Sequence, residues 1–298
     1  MSRPPFLTPP PQAQARPLPT PRGEFATHDA LPDATGVAAG VATRGTVLLV
    51  PGFTGSKEDF IALLEPLAAA GYRAVAVDGR GQHESAGPRE ASAYAQDELA
   101  RDVIAQAEAL GGGVHLLGHS FGGLVCRAAV LLDASPFRSL TIMSCGPAAI
   151  AEEQQARTRL LLAALGQLDK EAVWREMQNQ GQEQEPQDRE TATTETRDPA
   201  LEEFLHRRWT LTTTEQLLAA GHQLTVEPDR TTELAAVPLP KHVLSGRLDY
   251  AWPVPSIDAM AKELSAVRTV VEGAGHSPNA ERPAATAEAL VRFWDLVI

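Results

Sequence analysis

The stretch that decides the fold is Leu116-Leu117-Gly118-His119-Ser120-Phe121-Gly122-Gly123. The apolar run 114–117 at its start is short and predicts a buried strand, and the apolar run 124–132 behind it predicts a buried helix. Glycines two residues before and after Ser120 keep such a strand-to-helix junction narrow, so the serine stands on a sharp turn. The pattern predicts a hydroxyl held above the carboxyl edge of a sheet, where open α/β folds bind ligands.

Short apolar runs alternate with helical patterns along most of the chain. Ser56 and Asp59 resemble a capping box at the start of one such helix. Strands separated by helices of this length indicate right-handed βαβ units around a parallel sheet. Strands are predicted at 46–50, 74–78, 114–117, 140–143, 242–244 and 269–271, and helices at 56–70, 91–110, 124–132 and 284–297.

The alternation stops between residues 147 and 234, where helical patterns occur without a convincing strand. We therefore predict a core of residues 23–146 and 235–298 with a helical cap, residues 147–234, inserted into it. Residues 178–199 of this cap are polar and acidic, which predicts a loop or a frayed helix. At the amino end, eight of the first 21 residues are proline, which predicts a disordered or polyproline-like arm over residues 1–22.

The composition restricts the class of partner. A formal net charge of −12 argues against nucleic acid, whose phosphates need a clustered basic face, and weakly against an anionic membrane surface. The chain has neither an apolar run of membrane-spanning length nor a secretion-signal pattern, so a cytoplasmic protein is expected. Cys126 and Cys145 both lie in apolar runs, which predicts buried free thiols. Nothing in the sequence specifies an oligomeric state.

The motif around Ser120 resembles the nucleophile elbow of α/β-hydrolase esterases, lipases and their relatives. The resemblance extends over residues 44–298. It implies an α/β-hydrolase fold, in which a mostly parallel central sheet carries helices on both faces and a helical cap is inserted. In that family the nucleophile follows the fifth core strand.

Two further residues complete a catalytic triad by this resemblance. His276, in Gly273-Ala274-Gly275-His276-Ser277-Pro278, matches the family's catalytic histidine on the loop after the last strand. Asp249 lies in a turn that resembles the family's G-x-x-D, and the order Ser120, Asp249, His276 is the family's chain order. Glu272 is the alternative acid. The family's other acid position falls on residues 144–146, which include no carboxylate.

The intermediate of acyl transfer carries an oxyanion, which needs two preorganised N–H donors. The backbone N–H of Phe121, next to the nucleophile, is the first. By resemblance, Gly52 aligns with the glycine of the family's His-Gly pair, so Phe53 supplies the second. Pro51 stands where the family often has histidine, which leaves the backbone donor intact.

The turn Asp78-Gly79-Arg80-Gly81-Gln82-His83-Glu84-Ser85 resembles another family motif. We interpret it as structural, with Asp78 and Arg80 fixing the loop by charge-assisted hydrogen bonds. His83 and Glu84 are two adjacent candidate metal ligands without a third nearby, so no metal is expected. The chain has neither a P-loop nor a dinucleotide fingerprint, so no cofactor is expected.

The favoured function is hydrolysis of an ester, thioester or lactone of a small apolar substrate through a Ser120 acyl-enzyme. Acyl transfer, cofactor-free peroxidation and carbon–carbon bond hydrolysis use the same triad and stay open. A non-catalytic ligand-binding protein is the third hypothesis. Serine at position 120 argues against epoxide or carbon–halogen chemistry, for which relatives use aspartate. The residues predicted to line the substrate pocket are Phe53, Phe121, Cys145 and Trp252.

Overall fold

The computed structural model describes residues 2–32, 43–183 and 198–297, with the backbone alone described for residues 180–183. Most of the polar stretch predicted over residues 178–199 lies outside these ranges. No helix in the described part of the chain is both long and apolar enough to cross a bilayer.

One eight-stranded sheet runs through the molecule in the order β1-β2-β4-β3-β5-β6-β7-β8. Strand β2 is antiparallel to β1 and β4, and the remaining neighbours are parallel. The strands are β1 (Ala13–Thr20), β2 (Gly23–Ala30), β3 (Gly45–Val50), β4 (Tyr72–Val77), β5 (Val114–His119), β6 (Phe137–Met143), β7 (Lys241–Gly246) and β8 (Val267–Val271).

The helices follow the predicted alternation in the core and also occupy most of the described chain between residues 152 and 235. Short 3-10 turns at Lys57–Phe60, Ala91–Tyr94 and Asp295–Val297 adjoin them. The helices are α1 (Ile61–Ala69), α2 (Gln96–Ala109), α3 (Phe121–Leu132), α4 (Glu152–Leu165), α5 (Lys170–Glu183), α6 (Pro199–Leu211), α7 (Thr214–Val226), α8 (Thr231–Ala235), α9 (Val254–Glu263), α10 (Pro278–Glu281) and α11 (Pro283–Trp294).

Both faces of the sheet are covered by helices. Along β3, Leu48 and Val50 belong to the apolar cluster that includes α2, α3 and α9. Val47 and Leu49 belong to the opposite cluster, with α1 and α11. Side chains of a strand alternate between its two faces, so this assignment explains why β3 is apolar throughout. The expected α/β-hydrolase fold is confirmed.

Two sequence predictions are wrong in detail. The helix predicted over residues 91–110 is divided at Ala95, whose extended backbone (ψ 145°) separates a 3-10 turn from α2. The prediction of disorder for residues 1–22 fails at Ala13–Thr20, which pairs with β2 along its whole length. Pro17 and Pro19 lie two residues apart on this edge strand, so both missing N–H groups fall on the same side and the ladder forms without them.

Helices α4 to α7 form a small apolar cluster of their own, against which Phe53 of the core also packs. A buried ion pair joins this group to the core. The Arg208 guanidinium on α6 lies 2.8 Å from the Asp59 carboxylate in the 3-10 turn before α1, and both residues are fully buried. The boundaries of the cap, residues 147–234, stay a prediction.

Several histidines are buried in the sheet. His242 on β7 is fully buried, with its Nε2 2.9 Å from Thr269 Oγ1. Burial disfavours the charged imidazolium and lowers the pKa of His242 from 6.5 to about 3. Since the unfolded chain binds this proton near pH 6.5 and the folded chain does not, His242 makes the fold less stable as the pH falls below 6.5.

We predict that His242→Gln weakens this acid sensitivity. Between pH 7 and about pH 5, the loss in free energy of unfolding should be smaller in the variant by up to about 2 kcal/mol, because one proton fewer is taken up on unfolding. Urea denaturation at the two pH values measures the difference. His222→Gln, at an exposed position, is the control. An identical pH dependence in wild type and His242→Gln would contradict the prediction.

Candidate active site

Ser120 stands between β5 and α3 in a conformation that serine rarely adopts, with φ 54° and ψ −123°. The two flanking glycines permit this turn. A Cβ atom on Gly122 would lie 2.5 Å from the carbonyl oxygens of Val50 and Pro51, and one on Gly118 would collide with the backbone of Gly122. The strained serine and the close approach of strand and helix are those of a nucleophile elbow.

The structure brings the three predicted catalytic residues together. His276 Nε2 lies 3.1 Å from Ser120 Oγ. His276 Nδ1 lies 3.0 Å from both carboxylate oxygens of Asp249. This is the arrangement of a nucleophile, a general base and the carboxylate that orients the base.

Asp249 is fixed by its own loop. Its side chain is fully buried, and Oδ1 accepts hydrogen bonds from the backbone N–H groups of Ala251 (2.8 Å) and Trp252 (3.1 Å). Glu272, the alternative acid, has a side chain that is 73% exposed and pairs with Arg247 at 3.2 Å. The carboxylate hydrogen-bonded to His276 is therefore Asp249.

Two residues that sequence reasoning missed hold the loop of His276. His119 Nε2 lies 2.8 Å from the His276 carbonyl oxygen. Because a carbonyl only accepts, this nitrogen carries the proton, and burial lowers the pKa of His119 to about 3 and keeps it neutral. The Glu281 carboxylate accepts from the N–H groups of Gly275 (2.6 Å) and Ser277 (2.9 Å), on either side of His276. Only the glutamate's place just after the histidine could have indicated it.

We predict that Glu281→Gln reduces kcat roughly tenfold, because an amide offers one acceptor where the loop presents two donors, and a small displacement of a catalytic base is costly. Steady-state kinetics on an activated ester measure the effect. Glu288→Gln is the matched control, because Glu288 lies exposed on α11, where it pairs with Arg292. Equal kcat values for the two variants would rule out a role for Glu281.

The two predicted oxyanion donors belong to residues beside Ser120. Phe121 is the first residue of α3, so its N–H has no partner within the helix and lies at the positive end of the helix dipole. Gly52 contacts Ser120 so closely that a Cβ on Gly52 would lie 3.0 Å from Ser120 Cβ. Within the described residues, neither Phe53 nor Phe121 uses its backbone N–H in a hydrogen bond outside regular helices and strands.

A cleft of about 600 Å³ opens beside His276. Leu248 and Tyr250 on its wall are 76% and 61% exposed, and the Tyr250 ring centroid lies 4.7 Å from that of His276. Ser2 and Arg3 of the amino-terminal segment also line the cleft. They are held by α6, where Arg208 Nη2 donates to the Ser2 carbonyl at 2.6 Å and Glu202 pairs with Arg3.

The four residues predicted to bind substrate are placed differently from one another. Phe53 is partly buried and lies between the core and cap clusters. Phe121, Cys145 and Trp252 are at most 3% exposed and pack in the core cluster. Trp252 Nε1 donates to the Ala148 carbonyl, and burial raises the pKa of the Cys145 thiol to about 12. Their contact with substrate stays a prediction.

The turn after β4 holds a network of buried charges. Arg80 donates to Asp102 at 2.6 Å, and Lys57 Nζ lies 2.9 Å from Asp78, which confirms that charged pairs fix this turn. Glu58 adds a third candidate ligand to His83 and Glu84, with ligand atoms within 4.8 Å of one another. Lys57 Nζ also lies 2.9 Å from Glu58 and 2.8 Å from Glu84. Its ammonium already supplies the positive charge that a metal ion would bring.

The model of the alpha/beta hydrolase family matches residues 47–289. This range includes the elbow and the two loops that complete the triad. The chain therefore belongs to the alpha/beta hydrolase family, and the expectation of an α/β-hydrolase enzyme is confirmed at this level.

Among curated proteins, the chain is 35% identical over 106 residues to one of Variovorax paradoxus named "Putative carbamate hydrolase RutD". The match covers 35% of this chain and 40% of the length of that relative. Among solved structures, an esterase of Thermogutta terrifontis superposes with a TM-score of 0.71 at 22% identity, covering 96% of this chain and 99% of that one. An esterase of Exiguobacterium antarcticum superposes with a TM-score of 0.72 at 18% identity, covering 95% and 100%. At these identities the structures show a shared fold.

Proposed function

We propose that the protein is a serine hydrolase that cleaves a carboxylic ester, thioester or lactone through an acyl-enzyme on Ser120. The observation that carries the proposal is the chain of contacts from Ser120 Oγ through His276 to Asp249, at 3.1 Å and 3.0 Å, on a serine with positive φ. Family membership alone leaves the chemistry open, since one fold hosts many functions.

In the acylation step, His276 Nε2 takes the proton of Ser120 as its Oγ attacks the carbonyl carbon of the substrate. The negative charge that develops on the carbonyl oxygen is stabilised by the backbone N–H groups of Phe53 and Phe121. The protonated His276, oriented by Asp249, then donates its proton to the leaving alcohol or thiol as the carbon–heteroatom bond breaks.

Deacylation repeats these steps with water as the nucleophile. His276 removes a proton from water, the hydroxyl oxygen adds to the acyl carbon, and Ser120 leaves with the proton returned by His276. The acid product departs and the triad is restored. No cofactor or metal ion takes part in this sequence of steps.

A small apolar substrate fits the surroundings of the triad. The leaving group must lie near His276, and the cleft there exposes Leu248 and Tyr250. Sites that bind acyl or aromatic esters combine apolar surface with a few polar groups that orient the substrate. In this cleft, Arg3, Ser277 and Glu281 also belong to the lining. A panel that includes esters, thioesters, lactones and a carbamate, each with water or an added alcohol as acceptor, separates hydrolysis from acyl transfer.

We also propose a cytoplasmic location. Cys126 and Cys145 are both buried and unpaired, which fits a reducing compartment. Fractionation of the host cell with detection of the native protein tests this assignment.

We predict that a fluorophosphonate probe labels the protein and that labelling is lost in Ser120→Ala and in His276→Ala. The serine is needed as the nucleophile and the histidine as its base, so turnover of an activated ester should fall by more than about 10³-fold in both variants. Labelling on a gel and p-nitrophenyl acetate hydrolysis measure these effects. Near-wild-type turnover by a folded Ser120→Ala protein would contradict the proposal.

Asp249→Asn should reduce kcat by up to about 10⁴-fold, because an amide can donate to His276 Nδ1 and favours the wrong tautomer of the imidazole. KM should change little, since the Asp249 side chain is fully buried. Glu272→Gln, at the alternative acid position, is the matched control and should keep wild-type kinetics. A severe loss in Glu272→Gln with activity retained in Asp249→Asn would reverse the assignment.

A further inference from the structure

The side-chain amide of Gln82 links the loop after β3 to the loop after β4. Its Nε2 donates to the carbonyl oxygen of Gly52 at 3.0 Å, and its Oε1 accepts from the backbone N–H of Gly79 at 3.0 Å. Gln82 is 4% exposed. The donor and the acceptor of the amide are thus both hydrogen-bonded. Because the side chain is buried, the loss of either bond is costly.

The partner of Gln82 belongs to the peptide that carries the second oxyanion donor. Gly52 supplies the carbonyl of this peptide and Phe53 supplies its N–H. In a trans peptide the C=O and N–H point in opposite directions. A hydrogen bond that fixes the Gly52 carbonyl toward Gln82 therefore turns the Phe53 N–H away from Gln82. Gly55 N–H, at 3.1 Å, is the other donor to the same oxygen.

The orientation of the Gly52–Phe53 peptide matters because Gly52 lies in close contact with Ser120. A Cβ on Gly52 would lie 3.0 Å from Ser120 Cβ, so the peptide borders the reacting atoms directly. Oxyanion donors act only when they are aimed in advance at the position where the charge develops. Rotation of this single peptide would remove one of the two donors without disturbing the triad.

Two neighbouring glutamines provide a comparison. Gln106 and Gln216 line the same small cavity of about 30 Å³ as Gln82, with Phe121 on its wall. Both are buried, and in both the Oε1 atom has no hydrogen-bond partner among the described residues. Of these three glutamines, Gln82 is the one whose side-chain amide is hydrogen-bonded to the Gly52–Phe53 peptide.

We propose that Gln82 is a positioning residue that aims the Phe53 N–H at the oxyanion. The inference rests on the proposed acyl-enzyme chemistry, and it adds a side chain to a site otherwise made of backbone donors. Among the described residues, Gln82 has no side-chain hydrogen bond to Ser120 or His276, so we infer that its effect is transmitted through the Gly52–Phe53 peptide.

The first test compares Gln82→Leu with Gln106→Leu, a matched loss of a buried amide beside the same cavity. We expect kcat in Gln82→Leu to fall about tenfold to hundredfold with KM nearly unchanged, because the donor matters mainly in the transition state. A trifluoromethyl ketone gives an independent measure. Ser120 Oγ adds to its carbonyl carbon, the proton passes to His276, and the oxygen becomes an oxyanion. Its affinity should fall by the same factor as kcat in Gln82→Leu and stay unchanged in Gln106→Leu.

The second test uses Gln82→Glu and the pH profile. An ionised carboxylate cannot donate to the Gly52 carbonyl, whereas the protonated acid can, and burial raises the pKa of the introduced carboxyl. The ratio of variant to wild-type kcat should therefore rise as the pH falls. The ratio is used because the titration of His276, which is common to both proteins, cancels in it. The same ratio for Gln82→Leu should be flat. Thermal unfolding at each pH separates a loss of stability from a loss of rate.

Crystal structures of wild type and Gln82→Leu decide the inference even if the enzyme shows no turnover. A Gly52–Phe53 peptide that rotates in the variant supports the role of Gln82, and a peptide that keeps its orientation overturns it. A flat pH ratio for Gln82→Glu, or an equal loss in Gln106→Leu, would also overturn it. Absence of fluorophosphonate labelling in the wild type is a separate result, which rejects the proposed function.

Discussion

The close approach of β5, α3 and the end of β3 is the constraint on which the site depends. Ser120 adopts φ 54° because the chain must reverse within the space that Gly118 and Gly122 leave free. The same contact brings the carbonyl groups of Val50 and Pro51 against Gly122, so the loop after β3 lies beside the serine. Ser120, the proposed nucleophile, and the loop of Gly52 and Phe53, which is proposed to bind the oxyanion, are thereby placed by one packing contact. The strain at Ser120 is offset by the packing of the elements around it.

Hydrogen bonds between side chains and the backbone hold the His276 loop and the Asp249 side chain in place. The histidine loop is held at its carbonyl by His119 and at two N–H groups by Glu281. Asp249 is held by the N–H groups of its own turn. These bonds act on loops that extend from a rigid sheet, which is the usual way in which a scaffold gives precise geometry to irregular segments. The triad geometry is thus over-determined from several directions.

Much of this organisation could be predicted from the sequence because its signals are local. Short apolar runs such as 46–50 and 114–117 mark buried parallel strands, and the glycines around Ser120 mark the elbow. The hairpin of residues 13–30 could not be predicted, because proline counts against strand structure unless the strand is known to lie at a sheet edge. The Arg208–Asp59 ion pair could not be predicted either. The two residues are 149 positions apart in the sequence, and the local pattern around one does not indicate the other as its partner.

The course of the amino-terminal segment has a practical consequence. Ser2 and Arg3 lie on the wall of the cleft beside His276, and the Ser2 carbonyl is bound by a fully buried arginine. Any residues joined to the chain before Ser2 would start at the wall of this cleft, where they would compete with substrates for space. For directed evolution, the same geometry makes the first few codons a place to introduce new side chains next to the triad without altering the folded core.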